Sequence, residues 1–227
     1  SLCSDASAPT VAAVISGNPA RNGFADFVAR YKDNPYVKGL RQILHTPEFE
    51  PGYCLSSTFI EGATLLGEAG LSFDVCIRPR EVGDAAKLAA ACPGTRFILD
   101  HCGNADPYIV NDPSIADDPD ADFGHTSQQW KDDMAAVAAQ PNIICKVSGI
   151  VARAKPGWTA ADLADTVNHC LDTFGPDRVI FGGDWPVCLY GGSYAEWAAA
   201  LREIIAERPD DHQRKLLHDN AVAFYEL

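Results

Sequence analysis

Apolar residues along this chain fall into short runs, and each run is followed by a longer stretch with helical spacing. Residues 10–16 form such a run, broken by Gly17, Asn18 and Pro19. After it Phe24, Phe27, Val28 and Tyr31 recur at the three- and four-residue steps of one helix face. The same alternation predicts strands over 37–44, 71–79, 96–103, 142–149 and 178–182. It predicts helices over 59–70, 82–92, 130–139, 162–174 and 197–207, and a helical tail from Asp211. Residues 104–124 are rich in Asp and Pro without periodicity, which reads as a surface loop over one end of the fold.

Six strand–helix units in strict alternation argue for a parallel sheet with right-handed crossovers. A doubly wound sheet and a (β/α)8 TIM barrel both fit that pattern. The polar residues separate them. Arg41, Arg78, Asp100 with His101, Lys146 with Ser148, and Asp184 fall at or near the ends of five different strands. A barrel converges such ends on one mouth, whereas an open sheet spreads them along a line. No G-x-G-x-x-G phosphate loop follows any strand, and the barrel is the expected fold.

Composition changes this picture in a few places. The 227 residues, 47% of them hydrophobic, suffice for one large domain. A net charge of −13 with no basic run makes nucleic acid and anionic membranes poor partners. No apolar stretch reaches the roughly 18 residues of a membrane span and no signal-peptide pattern opens the chain, so a cytoplasmic protein is expected. The eight cysteines are scattered singly without a C-x-x-C pair, which points to reduced thiols used as small hydrophobes.

Asp184 is the first candidate for chemistry. Val179, Ile180 and Phe181 read as a strand buried on both faces, Gly182 and Gly183 let the chain leave it tightly, and the carboxylate comes at the tip where parallel α/β folds bind ligands. The competing reading is a turn former or a helix N-cap. Around Asp184, the segments Phe97-Ile-Leu-Asp-His-Cys-Gly103, Asn142-Ile-Ile-Cys-Lys-Val-Ser-Gly149 and Phe174-Gly-Pro-Asp-Arg-Val-Ile-Phe-Gly-Gly-Asp-Trp-Pro-Val-Cys188 resemble the amidohydrolase-2 lactonase branch of the amidohydrolase superfamily. Phe73 to Pro79, Gly39-Leu-Arg41 and Asn220-Ala221 extend the resemblance over nearly the whole chain.

The resemblance implies a TIM-barrel hydrolase acting on a small-molecule lactone, either a sugar-acid lactone or a pyrone dicarboxylate. It implies that Asp184 handles the proton of the attacking water, while His101 polarises the carbonyl or holds a metal with Asp184. Residue chemistry is compatible with this, since a carboxylate near pKa ~4 accepts a proton and an imidazole near ~6.5 donates or ligates. Arg41 and Arg78 offer forked donors for substrate, with Lys146, Ser148 and Trp185 lining the same mouth. The blander expectations are a core histidine at His101 and a barrel ion pair at Lys146, with His45, His125, His169, His212 and His218 at the surface. The branch leaves the cofactor open between one zinc-type divalent metal and none. Its alternatives are a metal-dependent decarboxylase or amidohydrolase on the same barrel, or a binding barrel without catalysis. A homo-oligomer is compatible with either.

One feature of the branch is absent: no His-x-His pair occurs in this chain. Counting back from Asp184 as the end of strand eight, the six strands correspond to three through eight. Two further βα units of about 30 residues each are therefore expected upstream.

Overall fold

The structure, a computed structural model, describes residues 2–5, 7–115 and 124–227. All six expected strands form: β1 (Ala13–Ser16), β2 (Val37–Ile43), β3 (Ser72–Cys76), β4 (Phe97–Leu99), β5 (Ile143–Val147) and β6 (Val179–Phe181). They pair in parallel in the order of the sequence, each strand beside its predecessor and its successor. A doubly wound sheet reverses direction at a switch point and this one does not, so the order is that of a barrel wall. Helices α1 (Phe24–Tyr31), α2 (Ser57–Glu68), α3 (Val82–Ala91), α4 (Ser127–Ala138) and α5 (Ala160–Phe174) make the crossovers, and α6 (Tyr194–Ile204) follows β6. Capping boxes start the last two: Asp162 accepts from the Thr159 N–H at 2.7 Å, and Glu196 accepts from the Ser193 N–H at 2.6 Å. Among the described residues, no helix is long and apolar enough to cross a membrane.

Within each strand the side chains alternate between two faces. Phe73 and Val75 of β3, Phe97 and Leu99 of β4, and Ile143, Cys145 and Val147 of β5 point outward into the main core, beneath the helices. Ile98, Ile144 and Ile180 point the other way and pack with Ala221, Phe224 and Tyr225 of the C-terminal tail. The tail, ending in the short helix Asn220–Tyr225, is pinned by Asn220 Nδ2, which donates to the carbonyls of Pro176 and Val179 at 2.7 and 2.8 Å. Arg96 holds its far end through the Phe224 carbonyl at 2.6 Å.

Two expectations change most. The strand expected to run to Gly103 ends at Leu99, because His101 to Asn104 turn left-handed, with φ of 57° at His101, 52° at Cys102, 65° at Gly103 and 57° at Asn104. The loop expected over 104–124 contains a short helix, Pro107–Asn111, capped by the Asp106 carboxylate at the Tyr108 N–H. Its residues 116–123 lie outside the described residues.

Candidate active site

Strand parity aims the polar residues. On β2, Arg41, Ile43 and, just past the strand, His45 share a face. On β4 that face carries Ile98 and then Asp100, and on β5 it carries Ile144, Lys146 and Ser148. The C-terminal ends of these strands open into a cavity of about 330 Å³ lined by Arg41, Ile43, His45, His101, Asn104, Gly149, Ala152, Arg153, Asp184 and Val187. A hollow of about 380 Å³ beside α1 is lined by Arg21, Asp26 and Arg30, all on the exposed surface. What sets the strand-end cavity apart is that its charged groups are partly or wholly withdrawn from water.

Arg41 is the hub. Its Nε donates to Asp100 Oδ2 at 2.6 Å, and its Nη2 lies 3.2 Å from Cys76 Sγ and 2.8 Å from His101 Nε2. The other imidazole nitrogen, Nδ1, sits 2.8 Å from Ser148 Oγ. A guanidinium only donates, so His101 Nε2 is the unprotonated acceptor, and the proton of the neutral ring is on Nδ1, facing the serine oxygen. Burial pushes His101 down to about 4; Asp100 opposes this and Arg41 and Lys146 reinforce it. The ring is therefore neutral at pH 7 and its Nε2 side offers an acceptor, so of the two roles expected for this imidazole, donating or ligating, donation from Nε2 is not available.

Below this hub lies a buried charge ladder. Lys146 Nζ donates to Asp74 Oδ2 at 2.6 Å and to Asp100 Oδ1 at 2.7 Å, with both carboxylates almost inaccessible to water. Burial raises the pKa of Asp100, but Lys146, His101 and Arg41 outweigh it and hold this carboxyl down at about 2. Asp74 is raised to about 6 by burial, with Asp100 adding to the rise and Lys146 and Arg41 opposing it. Burial lowers the Lys146 pKa, yet the two carboxylates overcome this and keep it ionised well above its ordinary range.

Asp184 closes the constellation. Its Oδ1 is 3.7 Å from His101 Nε2, and its side chain is 12% exposed at the rim of the cavity. Burial raises its pKa to about 6, with Arg41 and Lys146 pulling down and Asp100 pushing up. Its φ of 51° is left-handed, a conformation that costs a non-glycine residue on the order of 1–3 kcal/mol. Together with His101, Cys102 and Asn104, it puts four of the five left-handed non-glycine residues of the described chain in or beside this cavity. Gly149 allows the close approach, because a Cβ there would lie 2.5 Å from the His101 Cβ.

A family model, the amidohydrolase model, matches residues 2–227. The chain belongs to the amidohydrolase family. This amidohydrolase is 28% identical over 219 residues to an L-fucono-1,5-lactonase of Burkholderia multivorans, a match covering 94% of this chain and 70% of that one. A crystal structure of a Burkholderia multivorans amidohydrolase with bound zinc superposes with a TM-score of 0.81 at 26% identity, covering 95% of this chain and 73% of the other. A probable 2-pyrone-4,6-dicarboxylic acid hydrolase from Acinetobacter baumannii superposes with a TM-score of 0.67 at 16% identity, a likeness of fold alone. The chain spans 50% to 70% of the length of the curated relatives it matches. The expected family and hydrolase class are thereby met.

The zinc of the superposed structure raises the question of whether these residues would hold one. Among the described residues, Cys76, Asp100 and His101 each bring one ligand atom to within 4.8 Å of the others beside the cavity. Arg41 touches all three of them. His101 and Asp184, the pair expected as ligands, supply two donors where a zinc site takes three or four, and the ring nitrogen nearer Asp184 is engaged by the guanidinium. Among the described residues, His101 and Asp184 do not by themselves make up a zinc donor set, and the Cys76, Asp100 and His101 group is already occupied by the Arg41 guanidinium.

The structure brings Arg41, His101 and Asp184 together at the cavity, while of the other expected substrate binders Ser148 is fully buried behind the His101 ring and Lys146, Arg78 and Trp185 all lie outside the lining. Arg78 is buried and lies outside the cavity lining, with its guanidinium donating to Glu81 at 2.9 Å and to the carbonyls of Thr46 and Phe49 at 2.8 Å. The reason is local. β3 ends at Cys76, Pro79 starts a new turn, and the side chain swings under the loop after β2. Trp185 is 69% exposed and is not part of the lining. Lys146 faces the barrel interior, as the ion-pair expectation had it.

Three lining residues with polar side chains went unexpected. His45 follows from Arg41 by the period of two, which is the signal that would have found it. Arg153, in the turn Ile150–Arg153, and Asn104, whose amide donates to the Ile77 carbonyl at 2.7 Å, lie off the strands and gave no such signal. His125, expected at the surface, is buried, and its Nε2 accepts from the Asp106 N–H at 3.3 Å. Cys102, Cys145 and Cys170, far apart in sequence, gather their sulfurs within 4.8 Å in the core.

Proposed function

We propose that this amidohydrolase hydrolyses a lactone, with Asp184 as the base that activates water. The observation that carries the reading is a largely buried carboxylate, raised to about 6, at the rim of a cavity beside the Arg41–His101 pair. A base with a pKa near the working pH combines a large ionised fraction with a useful driving force for taking a proton.

Water held at Asp184 adds to the lactone carbonyl carbon, and its proton passes to the carboxylate. The carbonyl π pair moves onto oxygen, which becomes an alkoxide facing the guanidinium. On collapse that pair re-forms the C=O, the ring C–O bond breaks, and the departing oxygen takes the proton back from Asp184. The product is an open-chain hydroxy acid, which loses a proton to solvent at neutral pH. Arg41 and Arg153 at the cavity favour substrates bearing hydroxyls or a carboxylate. The lactonase name of the Burkholderia multivorans relative supports sugar-acid lactones in the first instance.

The test is a screen of aldonolactones and pyrone dicarboxylates against the full protein, following acid release with a pH indicator. Turnover of an aldonolactone is expected. Release of carbon dioxide from an aromatic or pyrone carboxylate, with no lactone opened, would replace this reading by the decarboxylase alternative.

A further inference from the structure

The donor set of Cys76, Asp100 and His101 has the composition of a soft divalent site, with thiol, carboxylate and imidazole held within 4.8 Å of one another. Two observations go with it. All three residues are buried, yet none of the three is left without a cationic partner, because one guanidinium meets each of them at 2.6 to 3.2 Å. That guanidinium is also not sealed in: the Arg41 side chain keeps 32% of its exposure and lines the cavity that Asp184 borders.

We propose that Arg41 is the resident cation of this site, held by the donors that would otherwise ligate a metal and presenting its outer N–H groups to the substrate carbonyl oxygen. A guanidinium keeps its charge at every accessible pH, and its planar fork satisfies several acceptors at once. Asp100 fixes it through Nε, while Cys76 and the unprotonated Nε2 of His101 fix it through Nη2. His101, oriented in turn by Ser148, is then a positioning residue that keeps the fork in the plane facing Asp184. The electrophile half of the proposal rests on the lactone reading above. The resident-cation half does not, because it concerns only what occupies the donor set.

The decisive experiment needs no substrate. Full-length wild-type protein, stripped with a chelator and dialysed, is titrated with Co²⁺ and followed by the thiolate-to-cobalt charge-transfer band. Arg41→Ala, Arg41→Lys and the double variant Arg41→Ala/Cys76→Ser are treated in the same way. Wild type and Arg41→Lys are expected to show no band that depends on Cys76. Arg41→Ala is expected to gain one at a single equivalent, and the double variant is expected to lose it. A band in wild type that disappears in Cys76→Ser would overturn the proposal, since the donors would then be serving a metal. Absence of any band in folded Arg41→Ala would also overturn it. If Arg41→Ala does not fold, the wild-type titration against Cys76→Ser still decides.

The electrophile half is read with whichever lactone turns over. Turnover by Arg41→Ala should fall by roughly 10²–10³-fold, the loss seen on removing one preorganised donor to an oxyanion. Added guanidinium ion should recover part of it, and added Zn²⁺ should not. Full activity in Arg41→Ala would overturn this half. A protein that opens no lactone at all would overturn the lactone reading while leaving the cobalt result to stand.

Discussion

On β3, Phe73 and Val75 lie fully buried against the helices, while Asp74 between them is 1% exposed on the opposite face and ionisable. The same contrast recurs on β4 between Leu99 and Asp100, and on β5 between Val147 and Lys146. The two faces of the sheet are withdrawn from water to a similar degree by different means. The outer face gains stability from area and packing: Phe73 meets Phe59 and Phe97 edge-on at 5.5 and 6.5 Å. The inner face has a small apolar layer of Ile98, Ile144 and Ile180, and beyond it cohesion depends on each charge having a partner, so that removing one leaves another stranded. The outer face therefore answers for the fold and the inner face for the chemistry.

Phe73→Ala tests the outer face most severely. It should cost about 3–5 kcal/mol, the range for emptying a buried aromatic site, read from the shift in the denaturation midpoint. The specific activity of the folded fraction should stay near that of wild type, and a selective loss of turnover would blur the division between the faces. Lys146→Met should cost about 3 kcal/mol by leaving Asp74 and Asp100 without their shared cation. Adding Asp74→Asn should recover part of that, since it removes one of the stranded carboxylates. A double variant as unstable as the single one would argue against charge stranding as the cause.

Asp184→Asn is expected to leave stability nearly unchanged and to lower turnover at least ~10²-fold, the lower bound for a positioned base. In wild type, the ionised carboxylate is the active form and its pKa is raised to about 6, so kcat/KM should rise with pH through about 6 and level off above it. His101, pushed down to about 4, should add no inflection near 6.5. A limb at the ordinary carboxylate value would remove Asp184 from the role. Ser148→Ala gives the smallest effect. Losing one neutral hydrogen bond to the ring, worth about 1 kcal/mol, should slow turnover roughly fivefold and leave KM alone.

The strands were legible in the sequence because each is a short apolar run punctuated by Gly, Pro or a polar tip, and the six emerge within a few residues of their expected ends. Asp184, His101, Arg41 and Ser148 were legible as strand-end polar residues; the first three line the cavity and the buried Ser148 supports the His101 ring from behind. Arg78 has the same sequence signature and goes elsewhere. Whether a strand continues past its last apolar residue depends on what the following turn packs against, and composition does not carry that information. Arg153 and the Cys102–Cys145–Cys170 cluster were invisible for a related reason, since their neighbours come from segments tens of residues away.

Local periodicity by itself determined the alternation of strand and helix and the parity of each strand, because those follow from steric repeats of two and 3.6 residues that a short window contains. Within one strand it therefore sets Asp100 on the face of Ile98 and Lys146 on the face of Ile144, whereas the register between strands brings those faces together. Only the tertiary structure decided which charge meets which. Arg41 reaches Asp100, Cys76 and His101 through parallel register and a left-handed turn that reaims the imidazole. The energy of a buried ion depends on the few ångströms around it, and that distance is fixed when the strands pair.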